Sequence, residues 1–331
     1  MIDKTSVQQL IQNKLILGNN SFDINNSMNI CYVFDHGAVR GAGVSICSIC
    51  KNNPEQNIIF HALCSDLQQD DIYKLTQTAL QYNTTIILYF INKNADILKN
   101  IVIATFPITI WYRILLPYIL DCQKILYLDS DIINLKPLKE LFQINMNDFY
   151  LLAVPDLEKT QNDRITALNL KTDTYFNSGV LMINIPKWLN NDISNQILNT
   201  AKIYGNQLIL PDQDALNIVF QKNNSVFYLD KKYNRVALWK EKNIKEKLAE
   251  AVLLHFVQTK PWQEAWLYEK RPYIENIYAQ YEALSPWKGT PLEKKTKLSY
   301  HDKRKRAEFM FKQGNILKGL YWYKEYLKAK L

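Results

Sequence analysis

The run Lys124-Ile125-Leu126-Tyr127-Leu128 is apolar and rich in strand formers, and it stops on Asp129-Ser130-Asp131. Residues two apart on a strand share a face, so Asp129 and Asp131 are expected to converge at the strand's C-terminal edge. In open α/β sheets that edge is where ligands bind. Two converging carboxylates repel unless positive charge sits between them, and a hard divalent cation is the natural partner. A bare Asp-x-Asp also has a plainer reading, a loop pair capping a helix that starts near Pro137.

The flanking pattern points to a sheet with helical crossovers. Strands are expected at 29–34, ending on Asp35, and at 58–63, 85–90 and 124–128. Helices are expected at 67–82 and 108–120, the second broken by Pro117. Gly41-Ala42-Gly43-Val44-Ser45-Ile46 opens another helix, whose small residues allow close packing on a sheet. Strands alternating with helices predict an α/β domain with a largely parallel sheet covered on both faces. Further on, 149–154 and 179–184 read as strands, and 186–204 and 212–221 as helices with Pro186 and Pro211 in first-turn positions.

The ends of the chain read differently. Residues 1–27 look like a polar, partly helical lead-in. Ser285-Pro286-Trp287-Lys288-Gly289-Thr290-Pro291 is a breaker cluster. Beyond it, 303–331 reads as helix, with Phe309, Ile316, Leu320, Tyr323 and Leu327 at roughly helical spacing and Gly314 weakening the middle. The expected organisation is a lead-in over 1–27, a catalytic domain over 28–284 and a basic amphipathic segment over 285–331.

Charge supports that last boundary. From Lys288 on there are 13 Lys and Arg against 4 Asp and Glu, a net +9, whereas the other 27 positive and 28 negative charges nearly cancel. An anionic surface is therefore expected as partner for the tail alone. A nucleic-acid footprint would continue over the folded body, so no nucleic acid is expected. No run of 18 apolar residues appears, and Asn19-Asn20 and Asn25-Asn26 interrupt any signal-like core. The 5 cysteines lie mostly in apolar segments, as reduced thiols of a cytoplasmic protein do. Cys47-Ser48-Ile49-Cys50 has metal or redox spacing but no second pair, and packing is its expected role.

Polar groups recur at the expected ends of apolar segments. Asp156 closes Ala153-Val154-Pro155, Asn177-Ser178 precede Gly179-Val180, Asp212-Gln213-Asp214 open a helix after Pro211, and His255 follows Leu253-Leu254 with Lys260-Pro261-Trp262 behind it. Each alone could be a cap, a turn or a satisfied core residue.

Taken in order, Leu126-Tyr127-Leu128-Asp129-Ser130-Asp131, Phe176-Asn177-Ser178-Gly179-Val180, Pro211-Asp212-Gln213-Asp214-Ala215-Leu216-Asn217 and His255 followed by Lys260-Pro261-Trp262 resemble the motif series of glycosyltransferase family 8. That family consists of retaining enzymes with a GT-A fold, a Rossmann-like nucleotide-sugar-binding architecture. Asp35 with the Gly41–Ile46 stretch, and the basic aromatic tail, make the chain most similar to the bacterial lipopolysaccharide-core α-glucosyl- and galactosyltransferases.

The resemblance implies roles. Asp129, Asp131 and His255 would hold Mn²⁺ or Mg²⁺, with the imidazole leaning towards manganese. The metal would grip the diphosphate of a UDP-sugar as a Lewis acid, with Lys260 adding charge. Asp35 would touch uridine, and Arg113 and Ser130 would line the donor site. Asp156, Asn177, Ser178 and Asp212 would bind the donor sugar. Gln213 would lie by the anomeric carbon with Asp214 behind it. Retention then follows either from same-face attack or from Asp214 acting as a transient nucleophile. Two departures stand out: His36-Gly37-Ala38 replaces the usual Asn and aromatic after Asp35, and the stretch from His255 to Lys260 is one residue short and lacks its glycine.

The expected activity is hexosyl transfer from UDP-glucose or UDP-galactose to lipopolysaccharide core, by a peripheral enzyme on the inner face of the cytoplasmic membrane. Transfer to another surface polysaccharide or a glycoprotein is the alternative. Outside catalysis, a basic-tail nucleic-acid-binding protein and a silent glycan binder are the competing readings.

Overall fold

The computed structural model describes residues 2–19, 21–92, 108–221, 225–236, 243–268, 272–294 and 298–330. The first five strands are β1 (Ile11–Gly18), β2 (Met28–Phe34), β3 (Ile58–Cys64), β4 (Thr85–Ile91) and β5 (Lys124–Leu128). They are followed by β6 (Ile132–Asn134), β7 (Leu151–Pro155), β8 (Phe176–Asn184), β9 (Val226–Tyr228), β10 (Arg235–Val236) and β11 (Leu253–His255). The larger sheet has the order β1-β4-β3-β2-β5-β8-β7-β9, and a smaller one the order β10-β11-β6. In the larger sheet parallel pairing joins β4-β3-β2-β5 and β7-β9, and in the smaller one β10 and β11. β1 runs antiparallel to β4, and β8 antiparallel to both β5 and β7. The larger sheet thus has the expected parallel core, extended by antiparallel strands on both sides.

β2 and β3 are buried along their whole length. Their alternate residues feed two cores: Cys31, Val33, Ile59 and Leu63 on one face, Ile30, Tyr32, Phe60 and Ala62 on the other. Each such aliphatic side chain contributes about 1.5–3 kcal/mol by leaving water. The helix Val39–Asn52 presents Ala42 and Ile46 to the second core. Cys47 and Cys50 lie on this helix as free thiols, and burial pushes the Cys47 thiol up to about 12.

Several expected elements are replaced by finer ones. The lead-in is part of the domain: Asp3 caps the helix Lys4–Leu10, β1 joins the sheet, and Ile2, Val7 and Leu10 enter the first core. The stretch around Pro117 is a 3₁₀ helix, Ile108–Leu115, followed by a short α-helix, Leu116–Ile119. The helix expected over 186–204 divides at Asp192, whose φ of +52° ends one segment, Ile185–Asn190, and starts the next, Ile193–Tyr204. The breaker cluster is not a free linker either. Trp287 is buried against the Val39–Asn52 helix, and a Cβ on Gly43 would stand 2.1 Å from its ring.

The tail is a hairpin instead of one helix. Ser299 caps Tyr300–Lys312, Gly314 turns the chain at φ +73°, and Ile316–Lys330 returns. Only Ala307 and Gly319 are buried in the two helices, whereas Ile316, Leu317, Leu320, Tyr321, Tyr323 and Leu327 are exposed. No helix among the described residues is long and apolar enough to cross a membrane.

Candidate active site

β5 ends at Leu128, and Asp129, Ser130 and Asp131 make the turn into β6. The two carboxylates therefore converge through a turn that links the two sheets, not through strand alternation. The turn is pinned on both sides: Asp129 N–H donates to the Gly179 carbonyl at 2.8 Å, and Phe256 N–H to the Asp131 carbonyl at 2.9 Å. The second contact follows from β11 pairing with β6, which sets His255 opposite Ile132. Neither aspartate caps the helix Lys139–Gln143, so the plainer reading of the pair fails.

The ligand atoms of Asp129, Asp131 and His255 lie within 4.8 Å of one another. His255 Nε2 is 3.2 Å from Asp131 Oδ1 and 3.8 Å from Asp129 Oδ2. A chain of hydrogen bonds fixes the imidazole's tautomer. The Asp156 carboxylate only accepts, so the Asn177 amide nitrogen faces it at 3.2 Å. Asn177 Oδ1 then accepts from Asn234 Nδ2 at 2.8 Å, which turns Asn234 Oδ1 towards His255 Nδ1 at 3.0 Å. Nδ1–H must donate there, leaving the Nε2 lone pair aimed at the two aspartates.

These residues fit a divalent cation. The donor set is two carboxylates and an imidazole nitrogen, with the outer nitrogen already held. Gly179 closes the cradle: a Cβ there would stand 2.5 Å from His255 Cε1 and 3.0 Å from Asp129 Oδ2. Charges of both signs meet in this cluster. Burial works against a charged imidazole, yet Asp131 and Asp129 hold the His255 pKa above its ordinary value. Burial likewise opposes ionisation of Asp131, but Lys260 and His255 outweigh it and hold the carboxyl well below the usual range. Lys260 reaches Asp131 Oδ2 through its ammonium.

A second group of residues adjoins this trio. Arg113, buried, donates to Asp129 Oδ1 at 3.2 Å and to the Ser178 carbonyl at 2.8 Å, and lies 3.2 Å from Asp212 Oδ2. Its guanidinium stacks 4.4 Å from the centre of the Tyr127 ring. Ser178 Oγ donates to Asp212 Oδ2 at 3.3 Å; burial pushes the Asp212 carboxyl up, with Arg113 opposing. Gln213 is held at both ends, Nε2 donating to Asp156 Oδ2 at 2.8 Å and Oε1 accepting from Ser178 N–H at 2.9 Å.

Asp214 does not suit the part of a nucleophile. It is fully buried, and Arg164 donates to both its oxygens at 2.9 and 2.8 Å. Tyr175 OH adds a bond at 2.6 Å and Leu210 N–H one at 3.0 Å. Every lone-pair direction is used, and none faces outward. The helix Pro211–Phe220 therefore separates the roles of neighbours: Gln213 faces Ser178 and Asp156, and Asp214 anchors the helix start.

One network thus unites Arg113, Asp129, Asp131, Asp156, Asn177, Ser178, Asp212, Gln213, His255 and Lys260. Among the described residues no hydrogen bond joins Asp35 or Ser130 to it. Asp35, just past β2, accepts from Gly37 N–H at 3.0 Å, and Ser130 Oγ has a long 3.5 Å contact to the Val33 carbonyl. Sequence reasoning missed Asn234 and Tyr127. Tyr127 OH donates to Asp129 Oδ1 at 2.7 Å, a partner that strand alternation could have flagged. Burial pushes the Tyr112 phenol up to about 12, with the charges of Asp66 and Asp35 adding to the effect.

Two family models divide the chain between them: Glycosyl transferase family 8 over residues 29–265 and Glycosyl transferase family 8 C-terminal over 274–330. The chain belongs to glycosyltransferase family 8. This family 8 member is 30% identical over 317 residues to a lipopolysaccharide 1,2-glucosyltransferase of Escherichia coli, covering 90% of both chains. It is also 30% identical over 319 residues to a lipopolysaccharide 1,3-galactosyltransferase of Salmonella typhimurium, covering 92% of this chain and 91% of that one. In structure it resembles the galactosyltransferase LgtC, with a TM-score of 0.65 at 22% identity, covering 78% of this chain and 96% of the other. The fold is the expected GT-A fold, and the helical hairpin lies within the family's C-terminal region.

Proposed function

We propose that this glycosyltransferase moves a hexose, glucose or galactose, from a UDP-sugar to the core oligosaccharide of lipopolysaccharide with retention of configuration. The observation that carries the reading is the convergence of Asp129, Asp131 and His255 Nε2 beside the Arg113–Asp212 and Gln213–Asp156 contacts. The names of its relatives, lipopolysaccharide glucosyl- and galactosyltransferases, support the substrate class.

A bound Mn²⁺ or Mg²⁺, held by Asp129, Asp131 and His255, would supply Lewis-acid stabilisation of the departing diphosphate. Lys260 would exchange its partner Asp131 for a donor phosphate oxygen, neutralising charge without a proton transfer. Asp156, Asn177 and Asp212 would orient the sugar through its hydroxyls. Gln213, clamped at both ends of its amide, presents a fixed dipole and not a nucleophile. With Asp214 saturated, attack from the face that UDP leaves accounts best for retention, and the leaving phosphate oxygen takes the acceptor's proton. Asp35 and Tyr112 would border the uridine.

The hairpin supports a location for this chemistry. Its net positive charge and exposed Leu317, Leu320 and Leu327 suit an anionic inner-membrane leaflet. The deciding experiment measures UDP release from UDP-glucose and UDP-galactose with and without Mn²⁺, and reads the product's anomeric coupling by NMR. An α linkage formed only with metal is expected; a β linkage or full activity in EDTA would sink the reading.

A further inference from the structure

The segment that carries Lys260 has little regular structure of its own. Between β11 and the 3₁₀ helix Glu264–Tyr268 it is closed by a local bond, Gln263 N–H to the Lys260 carbonyl at 3.0 Å. Its outer side is held by the C-terminal region. Glu293 N–H donates to the Trp262 carbonyl at 2.9 Å and Glu264 N–H to the Glu293 carbonyl at 2.9 Å, a one-residue parallel bridge.

That strap is held by Trp287, buried against the Val39–Asn52 helix, by Gln81 and Tyr82, which donate to the Leu284 carbonyl at 3.0 and 3.2 Å, and nearest the Lys260 segment by one buried arginine. Arg40, buried in the first turn of the Val39–Asn52 helix, donates through Nε to Glu282 Oε1 at 2.9 Å. Its Nη1 donates to the Pro291 carbonyl at 2.8 Å and Nη2 to the Thr290 carbonyl at 2.9 Å. The next residue, Gly41, lets the Trp262 ring and the Ser130 carbonyl approach to where its Cβ would be, at 2.3 and 2.5 Å. Arg40 therefore joins three parts of the chain: the helix after Asp35, the strap at 282–293, and through the strap the Lys260 segment.

We propose that Arg40 is a positioning residue for donor binding. Its fork holds the strap, and the strap holds Lys260 against Asp131, so the C-terminal region completes the site instead of merely following it. The kinetic part rests on the reading of Lys260 as a phosphate-binding residue. A lysine at position 40 could not reproduce the fork, because its ammonium has no planar, divergent donors. A cut near residue 290, which the breaker cluster invites, would remove Pro291 and Glu293 and free the Lys260 segment.

The test uses the full chain with Arg40→Gln, the milder Glu282→Gln, Lys260→Ala and the Arg40/Lys260 double variant. Backbone hydrogen exchange of the 256–268 and 284–293 peptides should quicken by about tenfold or more in Arg40→Gln, and less in Glu282→Gln, with β2–β4 peptides unchanged. With UDP-glucose, UDP-galactose and MnCl₂ as probes, the donor KM should rise about tenfold in Arg40→Gln while kcat stays within about twofold. The double variant should show no higher KM than Lys260→Ala alone. Multiplying effects would mean that Arg40 does not act through Lys260 and would overturn its positioning role. Unchanged exchange would overturn the strap itself. An unchanged donor KM in Lys260→Ala would overturn the phosphate role, and the kinetic half of this proposal with it, whatever the exchange shows.

Discussion

Asn234 Oδ1 accepts the Nδ1–H of His255 at 3.0 Å, and that single bond decides which imidazole nitrogen faces Asp129 and Asp131. Asn234→Ala should weaken Mn²⁺ binding by about 10–100-fold while leaving the trio in place. Asn234→Asp, which keeps an acceptor, should lose much less. Titration followed by electron paramagnetic resonance measures both, and equal losses would refute the tautomer argument.

Asp129→Asn and Asp131→Asn should each abolish transfer and leave the far-ultraviolet circular dichroism unchanged. EDTA should inhibit the native enzyme reversibly. Asp131→Asn removes the charge of a carboxylate that meets Lys260 through Oδ2 and His255 through Oδ1, so it should also lower the donor affinity more than Asp129→Asn does.

Asp214 and Arg164 form a buried pair at 2.8 Å, so Asp214→Asn strands a buried guanidinium. The expected cost is about 3–5 kcal/mol of stability in urea unfolding. Mass spectrometry of quenched native enzyme should find no glycosyl adduct on Asp214; an adduct there would restore the two-inversion route.

His61, fully buried in β3, should give the fold an acid-side weakness. Burial, helped by Lys14, pushes its imidazole down from 6.5 to about 3. Between those values the unfolded chain binds a proton that the native chain refuses. The stability due to neutral His61 is whole above the unfolded value and drains as pH falls, by about 2 kcal/mol at about pH 5. His61→Gln should flatten that part of the stability–pH curve in urea unfolding.

Leu317 and Leu320 are 82% and 55% exposed, and they face away from the partner helix. Leu317→Asp with Leu320→Asp should reduce binding to anionic vesicles and leave soluble UDP-sugar hydrolysis unchanged. Salt should weaken vesicle binding of the parent chain, since the tail's charge is felt only within about 8 Å at physiological ionic strength. Undiminished vesicle binding would mean that the exposed face has another use.

The parallel core was legible because β2, β3 and β4 are buried on both faces and read as unbroken apolar runs. β1 was not, because an edge strand with exposed Gln12, Asn13 and Lys14 carries no such run. β6, β10 and β11 are two or three residues long and owe their existence to one another. The candidate trio Asp129, Asp131 and His255 was picked out through the motif series that resembles glycosyltransferase family 8, and the turn geometry that brings the three together was not legible. Asn234 left no mark in the sequence: it lies in a polar 3₁₀ turn, and only the pairing of β10 with β11 brings it under His255. Gly314 did signal the tail's break, and its positive φ makes the hairpin.

β1 also has a practical meaning. It covers Thr85-Ile86-Ile87-Leu88-Tyr89-Phe90-Ile91, an uncharged segment of strong β-formers, through a ladder that runs from Ile11 to Gly18. A chain trimmed to its catalytic motifs would lay that backbone bare, and the row of unpaired amides would recruit the same segment from a second molecule. Such a protein would precipitate or form fibres with every catalytic residue intact, so solubility and not turnover would be the first property lost.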